Sequence, residues 1–286
     1  MKIAFIGLGK MGYLIAGRIQ QAGHDVTVFN RNIRIAQQWS QEYGGQFTDS
    51  PAKAVTGCAV VAACVSDDAA VREVALGRDG AFSNMQANSV YIDHTTASPN
   101  IAKELGAYAN SHGFQYLDAP VSGGRPGAAK GTLTVMVGGN EAALAGVAPL
   151  LEAYSKSIHY VGESGAGQVA KSANQICIAG IMQSLVEAFA LIEHAKLDPQ
   201  KILNVLLGGS GRSWQMENRG KDMLLEKYDF GFSVDMLAKD IGLALESAKS
   251  LNLELPGTEV VNKSYQELVK RGFSNEDISA IMRLFK

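Results

Sequence analysis

The chain has 286 residues, 47% hydrophobic and 19% charged, with a formal net charge of -2; that is length enough for two domains, and no basic footprint for nucleic acid or an anionic membrane surface. Its three cysteines, Cys58, Cys64 and Cys177, cannot make a disulfide framework and lie in apolar runs, where a thiol packs as a small hydrophobe in a reducing compartment. Met1-Lys2 lead straight into a strand-like run and no apolar run reads as a membrane span, so a cytoplasmic protein with no membrane partner and no metal site is expected.

The first motif is Gly7-Leu-Gly9-Lys-Met11-Gly12. It follows a strand pattern, Lys2 to Ile6, and precedes a helix pattern in which Met11, Ile15, Ile19 and Ala22 recur every three or four positions. A second strand, Asp25 to Phe29, comes next. Strand, glycine turn, helix and strand within about thirty residues is the dinucleotide-binding arrangement. Gly7 permits the tight turn, Gly9 lets backbone approach a pyrophosphate, and Gly12 lets helix and strand pack closely, while the helix N-terminus offers amide donors. At the end of the second strand an NAD-binding protein usually has an acid for the ribose 2'-hydroxyl. Here the residues are Asn30-Arg31-Asn32. Arg31 can pair with a 2'-phosphate or stack on adenine, so NADP is expected and NAD is the alternative; the plain reading is an exposed arginine at a helix start.

Buried strands are expected at Cys58 to Val65 and Val90 to Asp93, each running out at a polar loop: Ser66-Asp67, then His94-Thr95-Thr96-Ala-Ser98-Pro99. Loops beyond the carboxyl ends of strands in an open α/β sheet are where ligands bind. The same residues also read as helix caps, Ser66 and Asp67 before Asp68 to Leu76, and Ser98 with Pro99 before Ile101 to His112. A strand at Gln115 to Asp118 leads to Ala119-Pro-Val-Ser122-Gly123-Gly124-Arg125-Pro126-Gly127. Ser122 to Gly124 offer a hydroxyl and successive amides as an anion nest, or else form a flexible turn.

From Gly165 a long, almost wholly apolar helix is expected, stopping near Asp198-Pro199. At 100° per residue Gly167, Lys171, Asn174, Gln175 and Ile178 share a face, so one cation and two carboxamides lie on an apolar cylinder. Such a helix, roughly 45 Å long, suits a spine between two domains, with Lys171 in the cleft. A buried lysine with partners suits a proton donor, and the bland alternative is a lysine that snorkels to water or caps a carbonyl. Beyond it only helices are expected: Pro199 to Leu207, loosely Met223 to Lys227, Val234 to Ser250, Pro256 to Arg271 and Asn275 to Phe285. Gly208 to Trp214 reads as a glycine-rich loop carrying Arg212 and Trp214.

With Gly7 to Gly12, Asp118 to Gly124, Gly165 to Gln175 and Leu237-Ala-Lys239-Asp240-Ile-Gly-Leu-Ala244 in this order, the chain resembles the β-hydroxyacid dehydrogenase family over nearly its full length. The resemblance implies an α/β Rossmann domain, residues 1–163, followed by an all-α domain for substrate and oligomerisation, residues 164–286, joined by the long interdomain helix with the active site between. It implies that Gly7, Gly9, Met11 and Gly12 bind pyrophosphate and that Asn30 and Arg31 choose the cofactor. Val65, Ser66 and Thr96 then border the nicotinamide riboside, and Lys239 touches cofactor. Ser122, Gly123 and Gly124 hold a small carboxylate substrate, Trp214 and Arg212 face it, and Lys171 is the general acid/base. Where the family usually has an asparagine four residues after that lysine, this chain has Gln175, with Asn174 beside it, so either carboxamide can orient the substrate. Val65-Ser66 replaces a frequent Leu-Pro. The implied activity is hydride transfer between NADP(H) and a small β-hydroxy acid or its semialdehyde or 2-oxo counterpart, in a homodimer or homotetramer. The alternatives are a non-catalytic dinucleotide-binding module and an imine reductase.

Overall fold

The structure, a computed structural model, describes residues 1–285. It divides into two compact units, Met1–Lys171 and the remainder from Ser172 onward. The first opens with β1 (Lys2–Ile6), α1 (Gly12–Gln21), β2 (Asp25–Phe29), α2 (Ile33–Tyr43), β3 (Gln46–Thr48), α3 (Pro51–Ala54), β4 (Val60–Ala63), α4 (Asp68–Leu76), β5 (Val90–Asp93), α5 (Pro99–Ser111) and β6 (Gln115–Asp118). Strands β3-β2-β1-β4-β5-β6 lie side by side in that order, all parallel. Helical crossovers force such a sheet to bury both faces. Accordingly Ile3 and Phe5 of β1 join one core with Ile15, Ile19, Val26 and Val28, while Ala4 and Ile6 join another with Val61, Val71, Tyr91 and Leu105. The strand order reverses at β1, whose neighbours are β2 and β4, so the turn at Gly7 lies at the switch point where open α/β sheets take ligands.

The sheet then continues through elements for which the sequence gives weaker patterns. These are β7 (Val121–Ser122), α6 (Gly124–Lys130), β8 (Leu133–Gly139), α7 (Glu141–Leu151) and β9 (Ser155–Gly162). Strand β8 is antiparallel to β6 and β7 and parallel to β9. The stretch expected as a loop to Gly127 is therefore shorter, because Gly124 starts a helix that ends at Gly131 in the left-handed region.

Helix α8 (Ala166–His194) begins in the first unit and continues into the second. At 29 residues it is about 43 Å long. Contrary to the expectation from sequence, it does contain an apolar run long enough to cross a membrane by length and hydropathy, with 44% of that window buried within the molecule. Met182, Leu185, Val186, Phe189 and Ile192 of this helix lie in the second unit's core. That core is completed by α9 (Pro199–Gly208), α10 (Trp214–Leu224), α11 (Val234–Ser250), α12 (Pro256–Lys270) and a terminal 3-10 segment, Ile278–Leu284.

Three expectations are corrected here. Helix α10 starts at Trp214, because the Ser213 hydroxyl caps it by accepting from the Met216 N–H, and it ends at Leu224, so the helix expected over Met223 to Lys227 is only the end of a longer helix that begins nine residues earlier. Asn275 to Phe285 is not an α-helix; Asp277 caps the 3-10 segment instead. Cys177 is exposed rather than packed as a small hydrophobe, whereas Cys58 is buried and Cys64 half-buried.

Candidate active site

At the switch point the glycine turn has a cradle that side chains would fill. Gly7 has φ +92°, and a Cβ there would overlap the Cys64 carbonyl oxygen at the end of β4; one on Gly12 would overlap the Gly7 carbonyl oxygen. Gly9 is exposed with open space at its Cβ position. No side chain caps the start of α1, where Met11 stands as the N-cap residue; Tyr13 N and Leu14 N donate to the carbonyls of Gly9 and Met11, both at 3.1 Å, so it is the helix end and the amides ahead of Tyr13 that suit an anion. Gly7 N donates to Phe29 O at 2.8 Å, and Leu8 N donates to Asn30 Oδ1 at 2.9 Å. Asn30 thus latches the turn to the end of β2 and passes its Nδ2 hydrogen to Asn32 O. Arg31 is exposed one residue before Asn32, which caps α2. An uncapped helix start, a turn that only glycine fits and an arginine beside it suit a dinucleotide pyrophosphate and its ribose.

The loops after β4 and β5 are joined by a bond from Val65 N to Thr95 Oγ1 at 3.0 Å. Ser66 is exposed and donates to Asp67, and Asp67 caps α4 through Ala70 N; Ser98 caps α5 through Ile101 N. The capping reading therefore holds for Asp67 and Ser98, and leaves Val65, Ser66 and the half-buried Thr96 along one strand-end rim.

Beneath that rim lies a buried polar layer that sequence reasoning missed. His94 Nδ1 is 2.7 Å from Ala119 O and Nε2 is 2.9 Å from Tyr154 Oη. The carbonyl can only accept, so Nδ1 carries the hydrogen and Nε2 accepts from Tyr154. Burial holds the imidazole down to about 4, and it is neutral at pH 7. Asp93 accepts from Thr95 N and from the Tyr116 hydroxyl. Asp118 accepts from Gly165 N at 2.8 Å and Gln168 N at 3.0 Å. Burial pushes both carboxyls up to about 6 against those donors.

Lys171 is 8% exposed, and its Nζ donates to Val121 O at 2.9 Å. The side chain is buried rather than snorkelling to water, and its acceptor is a backbone carbonyl, an arrangement shared by a buried proton donor and by a lysine that caps a carbonyl. The carbonyl it meets belongs to the residue before Ser122, so the ammonium and the Ser-Gly-Gly segment are held together within the first unit. Ser122 is half-buried, Gly123 and Gly124 are exposed, and both glycines have positive φ, +123° and +60°.

In the second unit Asn174, Gln175, Asp240 and Lys239 form one polar chain. Asn174 Nδ2 donates to Gln175 Oε1 at 2.8 Å, and Gln175 Nε2 to Asp240 Oδ2 at 2.7 Å. Lys239 Nζ lies 3.2 Å from Asp240 Oδ1. Asp240 is a buried member of this chain; the sequence signal for it is a carboxylate at a position flanked by the apolar Leu237, Ile241 and Ala244 of α11. Arg212 forms an exposed ion pair with Glu217, and Trp214 is exposed, edge-on to Phe230. Among the described residues no cluster of metal-ligating side chains occurs.

Comparison with known proteins finds matches along nearly the whole chain. Residues 2–162 match the family model of the NAD binding domain of 6-phosphogluconate dehydrogenase. Residues 165–285 match that described as the NAD-binding of NADP-dependent 3-hydroxyisobutyrate dehydrogenase. An uncharacterized oxidoreductase of Shewanella frigidimarina is 44% identical over 98% of this chain and 97% of its own. The 2-hydroxy-3-oxopropionate reductase of Escherichia coli is 35% identical over 99% of this chain and 96% of its own. The solved Mycobacterium tuberculosis 3-hydroxyisobutyrate dehydrogenase with L-serine superposes with a TM-score of 0.89 at 31% identity, covering 100% of this chain and 99% of that one.

Proposed function

The chain belongs to the β-hydroxyacid dehydrogenase family of NAD(P)-dependent oxidoreductases, and on that premise we propose that it moves hydride between NADP(H) and a small β-hydroxy acid or its semialdehyde or 2-oxo counterpart, with Lys171 as general acid and base. We assign residues 1–163 to the cofactor and 164–286 to substrate and assembly. The observation that carries the reading is the buried Lys171 ammonium donating 2.9 Å to Val121 O, directly before Ser122. A bound nicotinamide dinucleotide would supply or accept the hydride. Gly7, Gly9, Met11 and Gly12 would bind its pyrophosphate, Val65, Ser66 and Thr96 would border its reacting end, and Lys239 would touch it. The Ser122 hydroxyl and the Gly123 and Gly124 amides would hold the substrate carboxylate. During reduction Lys171 gives a proton to the carbonyl oxygen, and during oxidation it takes one from the hydroxyl. Asn174 or Gln175 orients that oxygen.

NADP is preferred in this reading because no acid stands after β2. Asn30 Oδ1 is engaged by the glycine turn, which leaves the preference to Arg31. The test is a plate of glyoxylate, succinic, tartronate and methylmalonate semialdehydes with NADPH and with NADH. NADPH should win by about tenfold to a hundredfold in kcat/KM, the worth of one charge-assisted contact. Arg31→Ala should weaken NADPH and spare NADH. Lys171→Met should keep cofactor affinity and lose about two to four orders of magnitude in turnover. Near-normal turnover by Lys171→Met would remove the lysine from the chemistry, and equal use of both cofactors would remove Arg31 from the choice.

A further inference from the structure

We infer that Asp118 is a positioning residue for Lys171, its carboxylate fixing at once the strand exit that leads to Val121 and Ser122 and the helical turn that leads to the ammonium. The inference rests on the reading of Lys171 as proton donor and adds the device that aims it.

Asp118 is the last residue of β6 and has no exposed surface. Its Oδ1 accepts from Gly165 N and its Oδ2 from Gln168 N. Amides at a helix start have no intrahelical acceptor, and a carboxylate there is favoured by the helix dipole. An ordinary cap comes from the residue before the helix and fixes only the helix to itself. Here the acceptor lies 47 and 50 residues from its donors, so the same two bonds fasten α8 to the sheet.

The fit leaves little freedom. A Cβ on Gly138 of β8 would stand 2.6 Å from Asp118 Oδ1, and one on Gly167 would stand 2.5 Å from the Asp118 carbonyl oxygen and 2.8 Å from Oδ2. Backbone therefore closes on the carboxylate from the strand side and the helix side, and a longer glutamate has no place to go. The Gln168 carboxamide supplies a second tie for the same turn, with Oε1 accepting from Ala97 N at 3.0 Å and Nε2 donating to Thr95 O at 2.8 Å. Lys171 is three residues beyond Gln168 on α8, and Val121, its acceptor, is three residues beyond Asp118. Loosening the carboxylate would thus displace donor and acceptor independently. A misplacement of about 1 Å costs up to about a hundredfold in rate.

Asp118→Asn tests this by turning one acceptor into an N–H group that faces a backbone N–H. With 2-hydroxy-3-oxopropionate and NADPH, kcat should fall about tenfold to a hundredfold, while KM and NADPH affinity stay within about threefold. The deciding measurement repeats the change in the Lys171→Met background, where no ammonium remains to be misplaced and the residual rate should drop by less than about twofold. A merely structural carboxylate would lower both rates by the same factor, and that result, or an unchanged kcat in the single variant, would overturn the inference. If Asp118→Asn does not fold, Gln168→Met enters the same cycle with an expected loss of about tenfold and the same two overturning outcomes. Near-normal turnover by Lys171→Met alone would strike the proton-donor reading itself, a failure recognisable before any Asp118 variant is made.

Discussion

His94, Asp93 and Asp118 titrate in one pH window with opposite effects on stability. The imidazole is held down to about 4 by burial, so between about pH 4 and 6.5 the unfolded chain binds a proton that the folded chain refuses, and His94 adds stability as pH rises. Burial raises the two carboxyls to about 6. There the folded chain binds protons that unfolded carboxyls have already released, and each contribution is lost as pH rises from about 4 through 6. Comparing Asp93→Asn with the parent isolates one carboxyl against all others. The variant's thermal midpoint, relative to the parent, should rise between pH 4 and 7 by the equivalent of about 1 to 3 kcal/mol; a difference that stays flat with pH would show that Asp93 titrates like a surface acid. These groups also mark what the sequence hid. Lys171 was legible because a lone cation in an apolar helix calls for a partner, whereas the partners of Asp118 and His94 are dozens of residues away, and no local pattern records them.

At the scale of elements, legibility followed burial. Strands β1, β4 and β5 are buried along most of their length and read as near-continuous apolar runs, while β2 alternates apolar and polar residues, so their positions were evident. Strand β9 was passed over because most of its residues are exposed or half-buried at the sheet's edge, where pairing decides the conformation; β8 is largely buried and apolar and was passed over all the same. Helix α10 was missed because its sequence is polar, WQMENRGKDML, and its stability is tertiary. Arg219 of α10 is 4% exposed and donates from Nε to Asp277 Oδ1 at 2.8 Å, with Nη2 to Oδ2 at 3.1 Å. Its guanidinium also lies 4.1 Å from the Phe230 ring centroid. Burial pushes the Asp277 carboxyl up, and the Arg219 hydrogen bond and charge outweigh it and hold it below its ordinary value. Removing one partner of such a pair leaves a buried charge, so Arg219→Met should destabilise the second unit by about 3 to 5 kcal/mol. Arg219→Met with Asp277→Leu should recover part of that loss in chemical denaturation. A single variant within about 0.5 kcal/mol of the parent would show that α10 is held by its apolar contacts instead.

For the molecule as a whole, the expectation of a homodimer or homotetramer turns on the face of α8 that its own unit leaves uncovered. Within the second unit Ala173, Cys177, Ile181, Ser184 and Leu191 of α8 are all exposed, Leu191 at 72%. With the exposed Glu187 between Ser184 and Leu191, the spacing of four, four, three, three and four follows the seam of a helix that packs against another helix, one charged residue interrupting it. Small or apolar side chains along such a seam cost free energy in water and allow close backbone approach in an assembly. Val205 on α9 is exposed at 68% as well. We expect the protein to assemble through this face. Ile181→Glu with Leu191→Glu would place two carboxylates in the seam, where burial without partners costs several kcal/mol per protomer. Light scattering after size exclusion at micromolar concentration should then report a multimer for the parent and a monomer for the variant, with circular dichroism unchanged because neither side chain belongs to the core. A monomeric parent, or a variant that keeps the parent's mass, would mean that the exposed stripe of α8 is not where copies of the chain meet.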